Sequence, residues 1–135
     1  MEVQFVAPGG EPVAGVPVRW LADGVLERVA STRSPQPVLA IVALPSEPVV
    51  SGHSLILVCA GVADPGNLGT MIRTAVAAGF DAVVTTSGSA DPWSGKVVRA
   101  SAGACFTVPV VAGLSLEVVL QALSKHDLPA YALAG

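Results

Sequence analysis

The sequence predicts an α/β fold, a parallel sheet with flanking helices. Three observations carry that prediction. Apolar runs of strand length recur at 38–44, 54–62, 81–87 and 106–111. Helical patterns separate the later runs. The runs show little polar alternation, as expected of strands covered on both faces. Composition agrees: 52% of residues are hydrophobic and 13% charged, too apolar for a disordered chain. With aromatics at only 4%, the core must be built from Val, Leu, Ile and Ala.

Taken in order, the elements read as follows. Residues 1–37 form a small piece punctuated by PGGEPVAGVP (8–17) and SPQP (34–37), with a short helix over 21–31 that turns Leu21, Val25 and Val29 to one side. VLAIVAL (38–44) opens the main body as a strand, and PSEPVVSGH (45–53) is a loop. SLILVCAGV (54–62) is the next strand. DPGNLGTMIRTAVAAGF (64–80) begins as a turn and becomes a helix. Its Asp64 suits the cap, and Pro65 suits the first helical position. Leu68, Met71, Ile72, Ala75 and Val76 follow helical spacing, leaving Thr70, Arg73 and Thr74 on the other side. DAVVTTS (81–87) is a strand, 92–103 a helix and FTVPVV (106–111) a strand. A helix over 114–126 has Ser115 as its cap and Leu116, Val119, Leu120 and Leu123 on its apolar side. LPAYALAG (128–135) starts a further strand.

Several function classes are disfavoured. No apolar run is long enough to span a membrane, and the N-terminus lacks the basic flank and apolar region of a secretory signal, so the expected location is cytoplasmic. Cys59 and Cys105 lie far apart with no metal-type spacing, and read as reduced, semi-buried thiols. His53 and His126 are isolated. A net charge of −3 argues against nucleic-acid binding through bulk charge, while leaving room for a few well-placed arginines.

In open α/β sheets, sites form beyond the carboxyl ends of the strands, which directs attention to 62–67, 87–95, 111–114 and 134 onward. Arg73 is a single cation about two turns into a helix that leaves such an end. A solvated charge is the ordinary reading of such a residue. DPWSGKVVRASAG (91–103) repeats the pattern, with an Asp-Pro opening that leads to Arg99 among small residues. The forks of Arg73 and Arg99 suit phosphate or carboxylate. Lys96 reads as a solvated lysine or a phosphate contact. Trp93 reads equally as a ring for base stacking or as cover for a sheet edge. GNLG lacks the spacing of a dinucleotide loop and has no Walker lysine.

"DPGNLGTMIRTAVAAGFDAVV" followed by "SGKVVRASAGACFTVPVV" resembles two motifs of the SpoU (TrmH-like) RNA ribose 2′-O-methyltransferases, members of the SPOUT superfamily with a deep trefoil knot. The match covers roughly 38–111 and extends more loosely to 135. "VPVRWLADGVLERVASTRSPQPVLAIVALP" resembles the end of the family's accessory RNA-binding domain and its linker. The resemblance implies residues 1–37 as a remnant of that domain and 38–135 as the front of a SPOUT (α/β-knot) methyltransferase domain. It implies S-adenosyl-L-methionine as cofactor, rRNA or tRNA as partner, and a homodimer for the full-length protein. By the same resemblance Asn67 and Arg73 lie beside the reacting ribose, and Arg99, Ser101 and Gly103 form the supporting second loop; Arg99 and Ser101, with Lys96 from its position alone, are the candidate RNA contacts. Leu133, Ala134 and Gly135 match the start of the cofactor loop.

The family's third motif, a Gly-Asn-Glu…Gly-Leu loop and the helix after it, has no counterpart here. The chain is therefore expected to be part of a longer enzyme. The alternatives are a non-catalytic RNA-binding remnant and a doubly wound module that binds a nucleotide or small molecule.

Overall fold

The computed structural model describes residues 2–44 and 55–133, and the chain divides into two compact units, 1–45 and 46–135. The first unit is built on a three-stranded sheet in the order β2-β1-β3, where β1 is Val3–Val6, β2 is Val18–Trp20 and β3 is Val38–Ile41. β1 pairs parallel with β2 and antiparallel with β3. No helix covers the link from β1 to β2. The fully buried Gln4 holds it instead, donating from Nε2 to Val13 O (2.7 Å) and Val16 O (3.1 Å) and accepting the Val13 N–H at 2.8 Å. Gln4 thus supplies backbone partners that a strand or helix would otherwise provide. Helix α1, Val25–Val29, follows Gly24 at φ 72° and buries Leu26. The predicted face of Leu21, Val25 and Val29 is not the buried one, because a helix this short is set by its entry turn and not by periodicity.

The strand expected to open the main parallel sheet is β3, and it belongs to the first unit. It ends at Ile41, pairs antiparallel, and leaves Leu39 and Ile41 exposed. An apolar run of this length fixes strand formation but not the partner.

In the second unit, β4 (Ile56–Cys59), β5 (Ala82–Thr86) and β6 (Val110–Leu114) form an all-parallel sheet with β5 at the centre. All five β5 residues are buried, which is why that segment carries no polar alternation. Helix α2, Pro65–Ala77, connects β4 to β5. Asp64 caps it by accepting the Asn67 N–H at 2.7 Å, and Leu68, Ile72 and Ala75 turn inward as the spacing predicts. Helix α3, Gly95–Ala100, is shorter than the expected 92–103. Asp91 does not cap it. Its carboxylate accepts the Trp93 N–H at 2.9 Å in a local turn, and Ser94 is the cap. The two Asp-Pro openings are thus different structures.

The expected strand 106–111 is displaced to 110–114, because residues 104–106 form a 3-10 turn. Helix α4, Leu116–Lys125, starts at Ser115 as expected, yet only Val119 of its apolar side is buried, while Leu116 and Leu120 are exposed. Residues 128–133 hold no strand. The core joins Cys59, Leu68, Ile72, Ala75, Val83, Val97, Cys105 and Val110, so both thiols are packing groups. Burial pushes the Cys59 thiol up to about 11 by disfavouring the thiolate. Among the described residues, no helix is long and apolar enough to cross a membrane.

Candidate active site

Because β4, β5 and β6 run parallel, their carboxyl ends share one edge of the sheet. The loops leaving that edge are joined by three hydroxyls. Thr86 Oγ1 accepts the Gly61 N–H at 3.0 Å. Ser89 Oγ accepts the Val62 N–H at 3.1 Å and donates to Cys59 O at 3.1 Å, while Ala90 N–H donates to Val62 O at 2.9 Å. Ser87 bridges to the end of β6, its N–H to Leu114 O at 2.8 Å and its Oγ to Gly113 O at 3.1 Å. The loop after β5 therefore fixes the loop after β4, and with it the start of α2. A cleft of about 290 Å³ opens beside this clasp, lined by Thr85 to Pro92 with Ala112 and Gly113. The volume lies near the lower end for small-molecule sites, and the lining offers hydroxyls, glycine backbone and small apolar groups.

On α2, Asn67, Thr70, Arg73, Thr74 and Ala77 are exposed, and they form one stripe opposite the packed side. Asn67 and Arg73 stand about 9 Å apart along the axis on that stripe. The backbone of Asn67 is held by Asp64, and its amide side chain stays exposed, as does the Arg73 guanidinium. Lys96 and Arg99 are exposed neighbours at i, i+3 on α3. Arg99 folds back along its helix, with Nη1 only 3.2 Å from where a Cβ on Gly95 would stand.

Gly69 brings the two helices together. A Cβ there would come within 2.5 Å of Ala100 Cβ, 2.8 Å of Val97 O and 2.9 Å of Ser101 N. Only glycine permits this approach, so Gly69 sets the spacing between the helix that carries Asn67 and Arg73 and the helix that carries Lys96 and Arg99.

The remaining expected site residues fall elsewhere. Ser101 is fully buried and donates its hydroxyl to Val98 O at 2.9 Å, finishing the last turn of α3 and facing away from solvent. Gly103 follows at φ 80°, the reversal after that helix. Leu133 is 99% exposed, and Ala134 and Gly135 lie outside the described residues, as does His53. The clasp residues Thr86, Ser87 and Ser89 were not singled out by sequence. The run TTSGS directly after a buried strand was the available signal.

Fold and site together define a parallel α/β domain with its polar groups gathered at the carboxyl edge and two exposed cationic helix faces nearby. Residues 54–135 match the model of the SpoU rRNA methylase family, and the chain belongs to that family. It is 43% identical over 97 residues to the 23S rRNA (guanosine(2553)-2′-O)-methyltransferase RlmP of Bacillus subtilis (strain 168), an alignment that takes in 72% of this chain and 39% of that protein. It is 44% identical over 75 residues to the mitochondrial rRNA methyltransferase 3 of Mus musculus, with 56% of this chain and 18% of that protein aligned. Among solved structures, a TrmH-family protein from Porphyromonas gingivalis superposes with a TM-score of 0.81 at 31% identity, over 95% of this chain and 53% of that one. The AdoMet-bound rRNA methyltransferase of Sinorhizobium meliloti superposes with a TM-score of 0.74 at 29% identity, over 89% of this chain and 49% of that one. The chain thus spans half or less of the length of most of these relatives.

Proposed function

We propose that this chain supplies the ribose-binding helix and part of the methyl-donor site of an enzyme that methylates a ribose 2′-hydroxyl of rRNA, with S-adenosyl-L-methionine as donor. One observation carries the reading. In a member of the SpoU family, Asn67 and Arg73 stand exposed on a helix that a hydroxyl clasp locks to the rim of a polar cleft.

The cleft suits a portion of the donor, with Thr85, Ser87 and Gly88 as polar and backbone partners. The donor's sulfonium makes its methyl group electrophilic without activation by the protein. The difficult partner is the hydroxyl, which must be aligned and must release its proton to water as the O–CH3 bond forms and the donor's S–CH3 bond breaks, leaving S-adenosyl-L-homocysteine. Arg73 is a poor base because its guanidinium stays protonated. Its role is to hold the ribose or the adjoining phosphate and to stabilise the alkoxide as it develops. Asn67 hydrogen-bonds the same sugar. Lys96 and Arg99 bind flanking phosphates, while Ser101 supports α3 from within. The relatives named for rRNA favour that substrate over tRNA. The first unit represents part of the accessory RNA-binding region, and the full-length protein acts as a cytoplasmic homodimer.

The test is transfer of label from methyl-labelled S-adenosyl-L-methionine to rRNA by the protein that contains this chain, followed by alkaline hydrolysis. A 2′-O-methyl group blocks alkaline cleavage, so label in alkali-resistant dinucleotides supports the proposal. Label confined to bases, or no transfer by folded protein, would refute it.

A further inference from the structure

We infer that Trp93 and Phe106 form a stacking shelf for an unpaired rRNA base next to the methylated ribose, an inference that rests on the RNA reading above. The chain has only six aromatic residues (two Trp, one Tyr, three Phe), yet two of them meet in the loops around α3. Their ring centroids lie 5.8 Å apart at an interplanar angle of 38°. The two rings play unequal parts. Trp93 is half-buried and packs on the core. Phe106 leans on Trp93 but remains 50% exposed, so core packing accounts for only part of it. The result is a tilted aromatic pair whose Phe106 ring is half open to solvent.

Two cations, Lys96 and Arg99, lie on the short helix that starts two residues after Trp93. Arg99 Nη1 lies over Gly95, and Gly95 is two residues from Trp93, at most about 7 Å along the chain. Lys96 is exposed on the same helix. Asp91 is the acid nearest in sequence, and its carboxylate braces the shelf by accepting the Trp93 N–H at 2.9 Å. Flat rings beside Lys and Arg suit a single-stranded nucleotide, with the base on the rings and the phosphate on the cations. A buried protein interface would instead disfavour the lysine. Bases within a duplex are stacked on each other and unavailable, so the shelf selects unpaired RNA.

Trp20→Phe leaves Trp93 as the sole tryptophan and so as the reporter. This protein is titrated with an adenosine-rich single-stranded oligoribonucleotide and with a duplex control. The expected result is saturable quenching of Trp93 by the single strand and little by the duplex. Phe106→Leu, which keeps bulk but removes the ring, weakens binding by roughly 5- to 150-fold, the worth of one stacked base. Read by the anisotropy of a dye-labelled oligonucleotide, because these changes remove the reporter, Trp93→Phe keeps most of the affinity, and Trp93→Leu loses it while its urea midpoint stays at that of Trp93→Phe, which separates stacking from packing. Salt-dependent binding with unchanged Trp93 emission and unchanged affinity in Phe106→Leu overturns the shelf and leaves the RNA reading standing. Absence of any RNA binding by folded protein overturns both. Self-association abolished by Phe106→Leu, with oligonucleotide affinity unaltered, also overturns the shelf.

Discussion

Replacing Gly69 by alanine tests how the two cationic helices are spaced. In an open helix this change would stabilise by about 1 kcal/mol through helix propensity. Here the new Cβ would stand 2.5 Å from Ala100 Cβ, whereas carbon atoms pack best at about 3.5–4.0 Å. Relief requires α2 and α3 to separate by about 1 Å. Rotation of a side chain cannot provide it, because Val97 O and Ser101 N, at 2.8 and 2.9 Å, are α3 backbone. Overpacking against backbone belongs at the top of the usual range of about 1–3 kcal/mol. The clash therefore outweighs the propensity gain, for a net loss of about 2 kcal/mol. Urea denaturation of Gly69→Ala measures it. Adding Ala100→Gly removes the shortest contact and restores part of the loss, a favourable coupling of at least about 0.5 kcal/mol. In methyl transfer, the shifted α3 raises KM for RNA more than it changes affinity for the donor. A Gly69→Ala protein as stable as the parent, with normal RNA kinetics, would refute this account of the helix pair.

Other consequences can be checked with similar economy. Under the proposed role of Arg73, Arg73→Ala in the protein that contains this chain slows methyl transfer by about 100- to 1,000-fold, the usual effect of removing a group that stabilises developing negative charge, and Arg73→Lys recovers only part because the fork is lost; single-turnover rates read both. Gln4→Leu leaves the Val13 N–H and two carbonyls without their partner and costs about 3 kcal/mol, read as earlier unfolding and faster proteolysis of the 7–17 segment. Cys59 has a folded-state value raised above its ordinary 9.0, so its contribution to stability is fully present below pH 9 and is lost as pH rises toward about 11. The decline between those values is shallower in Cys59→Ala, as alkaline denaturation midpoints will show. Thr86→Val keeps bulk but removes the acceptor for the Gly61 N–H, and raises hydrogen exchange at Gly61 and Val62.

The contrast between what sequence revealed and what it hid follows the range of the interactions. Helix α2 was legible because its determinants are local: Asp64 caps, Pro65 starts, and the apolar spacing selects the buried side. The buried β5 was legible for the same reason, as an apolar run without alternation. β3 was misplaced because strand formation is local while partner choice is not. β6 was shifted because an apolar stretch ahead of Pro109 is used by a 3-10 turn and not by a strand. Arg73 was visible as a lone cation off the apolar stripe of α2, together with Thr70 and Thr74, whereas Asn67 was singled out only through the motif resemblance. The clasp was not, because Thr86 meets Gly61 and Ser89 meets Val62 across 25 and 27 residues. Gly69 passed for one more small residue, since its neighbour Ala100 is supplied by a different helix. Ser101 illustrates the opposite failure, a motif serine whose hydroxyl serves its own helix.

The central claim is that the carboxyl edge of β4, β5 and β6 forms part of a methyl-donor site. Titration of this 135-residue chain with S-adenosyl-L-methionine, followed by amide NMR, tests it most directly. The account predicts saturable shifts concentrated at Thr85–Asp91 and Ala112–Gly113. Saturable binding whose shifts fall outside that edge would contradict it.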